Sequence, residues 1–148
     1  MNATSPAIFR ANQGASELLN YSQPLLLLAA RFYVAWVFFA SGLTKIEDWE
    51  TTLFLFELEY AVPLISPALA AWLGTAGELI FPVLLTFGLF GRVGALGLTA
   101  VNIVAVISLS EIAPAALTLH YLWGVLLLGV VAFGPGKLSV DNFIGAEK

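Results

Sequence analysis

Four polar side chains stand in otherwise apolar stretches, and they are the groups with which this chain could do chemistry. Arg31 and Glu78 are each the only charged residue in their runs, 22–44 and 67–90. Asn102 and His120 follow in two later runs, 93–110 and 112–133. A lone charge at mid-bilayer costs at least ~2.5–3.5 kcal/mol on insertion scales. Arg31 and Glu78 are therefore expected to pair, and the pair to mark a working site. A guanidinium and a carboxylate can orient a polar ligand and pass a proton. His120 adds a group that titrates near neutrality when unperturbed. The bland alternative is that these residues only hold helices together by hydrogen bonds, at roughly 0.6–2 kcal/mol each. For Asn102 that reading competes directly with ligand binding. For His120, solvation near an interface competes with proton transfer.

These residues must be positioned by helices. The four runs are close to the ~20 residues that cross a bilayer, and open strands cannot span lipid with their backbone groups unpaired. The expected fold is all-α: an antiparallel four-helix transmembrane bundle with spans at about 22–44, 67–90, 93–110 and 112–133. At 1.5 Å per residue, Arg31 and Glu78 come out within about 5 Å of each other in depth. The face carrying Arg31 also holds Ala35, Phe38, Gly42 and Lys45, and the face carrying Glu78 holds Ala71, Gly74, Pro82 and Leu85. Pro82 has no N–H, so the carbonyl of residue 78 loses its helical partner.

Composition agrees with a membrane class. The chain has 148 residues, 59% hydrophobic and 11% charged, with a mean hydropathy of +0.91, whereas soluble domains carry about a quarter charged residues. One bundle uses up the length. The net charge of −4 argues against a nucleic-acid partner. The absence of cysteine excludes disulfides and thiolate chemistry within the chain. With one His and one Met, no metal or haem site is expected from this chain alone.

The basic residues give an orientation. Arg10, Arg92, Lys137 and Lys148 fall on one side of a four-span arrangement and Lys45 on the other. Basic residues concentrate in cytoplasmic loops, so both termini are expected in the cytoplasm of a bacterial cell, with the bundle in the inner membrane. Residues 1–21 read as a polar cytoplasmic segment without a cleaved signal, 22–134 as the transmembrane domain and 135–148 as a cytoplasmic tail. The connection 45–66 is acidic, with Trp49, Leu53, Phe56 and Tyr60 on one helical stripe. It is expected to form an extra amphipathic helix at the interface between spans one and two; a plain capping loop is the alternative.

Taken in order, several short motifs resemble the DoxX family of small four-helix membrane proteins. They are Arg31, then residues 41–45 (Ser-Gly-Leu-Thr-Lys), 74–79 (Gly-Thr-Ala-Gly-Glu-Leu), 88–92 (Gly-Leu-Phe-Gly-Arg), His120 and 134–141 (Gly-Pro-Gly-Lys-Leu-Ser-Val-Asp). The resemblance covers about residues 25–144. It implies an inner-membrane protein, often one subunit of a larger assembly. Relatives are linked to oxidation of sulfur compounds with electrons passed to quinone, and to oxidative-stress complexes. An Asp-Trp-Glu loop like 48–50 is similar to members associated with metal stress.

Three functions follow as expectations. The first is a quinone-linked oxidoreductase subunit with no redox cofactor motif of its own. Arg31, Glu78 and His120 would serve its chemistry, and Arg31, Trp36, Glu78 and Asn102 would bind the quinone between aromatic walls that include Phe32, Tyr33, Phe38 and Phe81. A partner protein would supply electrons, or the chain would form a homo-oligomer in the lipid bilayer. The second is a non-catalytic anchor or scaffold whose acidic connection docks a partner in oxidative or metal stress. The third is a small transporter, against which stand the low helix count and the lack of an inverted repeat.

Overall fold

The computed structural model describes residues 7–109 and 111–146. Ser110, Lys148, the first six residues and the side chain of Arg10, which entered the readings of span, charge and N-terminal segment, lie outside the described residues. The chain forms α1 (Ala7–Glu47), α2 (Trp49–Leu58), α3 (Pro67–Phe87), α4 (Gly91–Ser108), α5 (Pro114–Phe133) and the short α6 (Val140–Phe143). Four of these, α1, α3, α4 and α5, are long and apolar enough to cross a membrane. Large apolar side chains such as Trp36, Phe87, Leu96 and Leu122 are exposed along their outer faces, as lipid-facing surfaces require. The expected helical bundle is therefore present, with α2 as the extra helix between the first and second spans.

Local chemistry sets the helix ends. Asp48 caps α2 by accepting from the Thr51 N–H at 2.9 Å and the Thr51 hydroxyl at 2.7 Å, bonds that hold its carboxyl below the usual carboxylate range. Ser66 caps α3, with Pro67 in the first turn where its missing N–H costs nothing. Pro114 opens α5 in the same way. Gly88 closes α3 in the left-handed region at φ 62°.

Packing runs α1 on α3, α3 on α4, α4 on α5 and α5 back on α1. Small residues allow the close approaches that drive association in lipid. A Cβ on Gly42 of α1 would lie 2.8 Å from Leu79 of α3, and one on Gly97 of α4 would lie 2.6 Å from the Phe81 ring. The apolar core includes Val34, Phe38, Leu85, Leu98, Leu127 and Val130. The α2 stripe read from the sequence also packs: Phe56 sits with Ala70 and Ala71 at the start of α3, flanked by Trp49, Leu53 and Tyr60. The Trp49 and Trp72 rings lie 4.3 Å apart.

Two ends of the bundle differ. At the α2 end, the Ala61 N–H donates to the Ser108 carbonyl at 2.9 Å, which ties the connection after α2 to the end of α4. At the other end, the C-terminal tail folds back over the α3–α4 turn. Asp141 accepts from the Phe90 N–H at 2.8 Å and the Gly91 N–H at 2.7 Å. These bonds cap α4 where Phe90 is held at φ 49°, a conformation that costs a non-glycine residue about 1–2 kcal/mol.

The first helix departs from expectation. It begins at Ala7 rather than near Ser22, so the stretch expected to be a polar segment is largely helical. Its register also differs. Arg31 lies at the tail end, beside Gly88, and not at the depth of Glu78. The helix before Arg31 runs on past that level for about 36 Å at 1.5 Å per residue.

The tail contacts generate a stability prediction. Asp141→Ala removes both caps and a carboxylate near the buried Arg31, and should cost ~2–4 kcal/mol. The measurement is thermal unfolding of the purified protein in detergent. A midpoint equal to that of the wild type would rule out the tail as a structural latch.

Candidate functional site

The α1–α3 contact places Ser41, Gly42 and Lys45 beside Glu78. Lys45 Nζ donates to Glu78 Oε2 at 2.6 Å and to Ser41 Oγ at 2.9 Å, and the Ser41 hydroxyl donates to Glu78 Oε1 at 3.4 Å. The three side chains form a closed triangle. Glu78 is buried at 8% exposure, and Lys45 is its one ionic partner among the described residues. The Lys45 backbone carbonyl accepts from the Thr52 hydroxyl at 2.9 Å, which ties the end of α1 to α2.

This corrects the expected Arg31–Glu78 pair. Gly42 fits against Glu78 and Leu79, and that fit slides Lys45 to the level of the carboxylate. Arg31 is ten residues earlier than Ser41, about 15 Å further along the helix at 1.5 Å per residue. There it is 1% exposed. Its Nη2 donates to the Leu138 carbonyl at 2.5 Å, and the Asp141 carboxylate acts on its charge. Arg31 belongs to the tail latch.

The ion pair opens onto a cavity of about 590 Å³ between α1, α3, α4 and α5, roofed by α2 and the segment after it. Lys45, Ser41, Glu78 and His120 contribute polar groups, while Phe38, Phe56, Phe81 and Trp123 contribute aromatic walls. Tyr60 stands at the roof. Burial, together with Glu59 and Glu78, holds its hydroxyl above the ordinary tyrosine range, so Tyr60 remains a neutral hydrogen-bonding group at physiological pH.

The other expected site residues divide. His120 lines the cavity. Asn102 does not, but it contacts His120 from the neighbouring helix: Asn102 Oδ1 lies 2.7 Å from His120 Nδ1, and Asn102 Nδ2 donates to the His120 carbonyl at 3.0 Å. Trp36 is 66% exposed on the outer surface and contributes nothing to the cavity wall. The wall has Trp123 instead, its ring packed 5.7 Å from Phe38 and 4.9 Å from His120. Sequence reasoning missed Lys45, Ser41 and Trp123 as site residues. The signal for Lys45 was its place on the helix face that carries Arg31. No group of three or more metal-ligating side chains occurs among the described residues.

A paired buried charge makes a specific mutational prediction. Lys45→Met alone strands the Glu78 carboxylate, and Glu78→Leu alone strands the ammonium; each should destabilise by ~3–5 kcal/mol. The double variant should recover most of that loss, because an apolar pair of similar volume fits the same space. A double-mutant cycle of unfolding in detergent measures it. Additive losses would mean that the two groups do not interact.

Comparison with known proteins places the chain in a family. A Haemophilus influenzae protein described only as uncharacterized is 36% identical over 127 residues, covering 80% of this chain and 82% of that protein. No solved structure matches. The DoxX family profile matches residues 26–111, a stretch that holds Arg31, Lys45, Glu78 and Asn102. This chain belongs to the DoxX family.

Proposed function

We propose that this protein is the membrane subunit of a redox complex and that it binds a quinone in the cavity beneath α2. The observation that carries this reading is an apolar, aromatic-walled space of about 590 Å³ with a hydrogen-bonded ion pair in its wall. Ligand sites are typically of about 300–1,000 Å³ with a few convergent polar groups. A quinone ring fits that description, and its polyprenyl chain suits a site within a membrane bundle.

The side chains supply both kinds of contact that such a ring needs. An ammonium has three donors, and Lys45 uses two of them on Ser41 and Glu78. The third is free to reach a carbonyl oxygen. Glu78 Oε1 has one long bond, from Ser41, and keeps lone pairs for a hydroxyl. Donor and acceptor thus lie side by side, held by one another, and can serve an oxygen in either state of protonation. His120 in the opposite wall provides a second polar contact. A bound quinone would supply the two-electron, two-proton couple.

The electron source is a partner. The chain has no cysteine and a single His and Met, so it carries no ligand set for a metal relay. The outward side of α2 and its C-cap carries Glu50, Glu57 and Glu59, all exposed, which suits a basic partner surface. The charge asymmetry favours insertion in the bacterial inner membrane with α2 outside. Arg92 and Lys137 stand at the tail end, and Arg92 reaches the Val131 carbonyl there. If the complex is not catalytic, the same acidic surface supports the anchor reading.

Protein purified in mild detergent from quinone-replete membranes should carry bound quinone, measured by extraction and by native mass spectrometry. Lys45→Met and Glu78→Gln should lower occupancy about tenfold or more, the loss of one charged hydrogen bond. Trp36→Ala should not. Wild-type protein free of quinone, or equal occupancy in all four proteins, would overturn the proposal.

A further inference from the structure

His120 is the only histidine of the chain, and its environment fixes more than its position. Asn102 grips it twice. A carbonyl oxygen can only accept a hydrogen bond, so the Asn102 atom that faces the His120 backbone carbonyl at 3.0 Å is the amide nitrogen. The amide oxygen then faces His120 Nδ1 at 2.7 Å. An amide oxygen cannot donate, so Nδ1 carries the hydrogen. In the neutral ring, Nε2 is left with a bare lone pair. Nε2 makes no hydrogen bond among the described residues.

The direction of that lone pair follows from the two spaces that His120 separates. Asn102 and His120 both line a groove of about 470 Å³ between α4 and α5. His120 also lines the main cavity, and Asn102 does not. Since Asn102, which holds Nδ1, lines only the groove, the ring edge away from Asn102 is the one available to the main cavity. Trp123 holds the ring edge-on, with 74° between the planes, and so restrains its rotation.

From this geometry we infer that Asn102 is a positioning residue. It locks His120 in the Nδ1–H tautomer and presents Nε2 to the main cavity as a hydrogen-bond acceptor. An acceptor in that wall favours a ligand oxygen that carries a hydrogen. The cavity thus selects the hydroxyl-bearing, reduced form of its ligand over the carbonyl form, which would face Nε2 lone pair to lone pair. The tautomer stands on the protein's own contacts; the selection step rests on the quinone reading above.

Because the chain has one histidine, protein labelled with 15N-histidine reports this residue alone. In wild-type protein at a pH where the ring is neutral, the Nδ1 resonance should be of the protonated type and the Nε2 resonance of the bare type. Asn102→Leu should abolish that preference, and Asn102→Asp, which keeps an acceptor at Nδ1, should restore it. A short-chain hydroquinone should shift the Nε2 resonance, and the matching quinone should not. Asn102→Leu should lower the binding preference for hydroquinone over quinone about tenfold, the worth of one well-made hydrogen bond.

A hydrogen on Nε2 in the wild-type protein overturns the inference without recourse to any variant. So does hydroquinone binding, read by tryptophan fluorescence, that leaves Nε2 unmoved or that matches quinone binding in strength. If neither probe perturbs any signal, the quinone reading and the selection step fall together, and the wild-type tautomer alone decides the role of Asn102.

Discussion

The fit of Gly42 against Glu78 and Leu79 is the constraint on which the rest of the site depends. It sets how far α1 slides along α3, and that one register decides which cation meets the buried carboxylate. With Lys45 at Glu78, the end of α1 is fixed at the middle of α3, and the Thr52 hydroxyl can reach the Lys45 carbonyl to seat α2 over the start of α3. Once α2 is seated, Phe56 and Tyr60 roof the space below it. A shift of one helical turn, about 5.4 Å, would part the ion pair and lift α2 from the apolar start of α3.

The same register sends Arg31 to the opposite end, where it has a separate task. A cation is favoured at a helix C-terminus, and Arg31 lies against the last turn of α3, where a Cβ on Gly88 would collide with its guanidinium. The tail closes over it, with the Leu138 carbonyl as acceptor and Asp141 nearby. Asp141 also holds the first amides of α4. One carboxylate thus offsets a buried charge and a strained turn together. The tail residues Gly134 and Gly136 have φ of 80° and 84°, which glycine adopts without strain, and they let the chain double back within a few residues of the end of α5.

Much of this was legible from residue types. Long apolar runs, the glycines and the Ser-Pro start of α3 dictate the helices and their order. The Trp49, Leu53, Phe56 and Tyr60 stripe announces α2, because its period can be satisfied only against an apolar neighbour. Glu78 and His120 stood out as polar groups in apolar company, and both line the cavity. The Arg31–Glu78 pairing failed because depth was counted from the ends of hydrophobic runs. A helix that extends past the bundle has no end where its apolar run begins, so the count started from the wrong residue. Lys45 was on the correct face but was assigned to a connection, since a lysine at the edge of a run looks solvated. Trp36 misled for the opposite reason: in lipid an aromatic ring gains as much by facing outward as inward, so residue type cannot tell wall from surface.

Stability does not explain why an ion pair is kept in that wall. Two charges withdrawn from water lose several kcal/mol each, and an apolar pair of the same volume commonly fits at least as well. The tail latch shows a structural use of a buried charge: Arg31 is enclosed, at 1% exposure, with Nη2 on the Leu138 carbonyl and its Nε and Nη1 without a hydrogen-bond partner among the described residues. Lys45 and Glu78 differ in kind. Their side chains remain 18% and 11% exposed, and both line the cavity beneath α2. Each keeps hydrogen-bonding capacity beyond what its partner uses. The charges of the tail latch, Arg31 and Asp141, are enclosed by the fold. The spare donors and acceptors of Lys45 and Glu78 instead line a cavity, which is where the proposed ligand, polar oxygens on an apolar body, would use them.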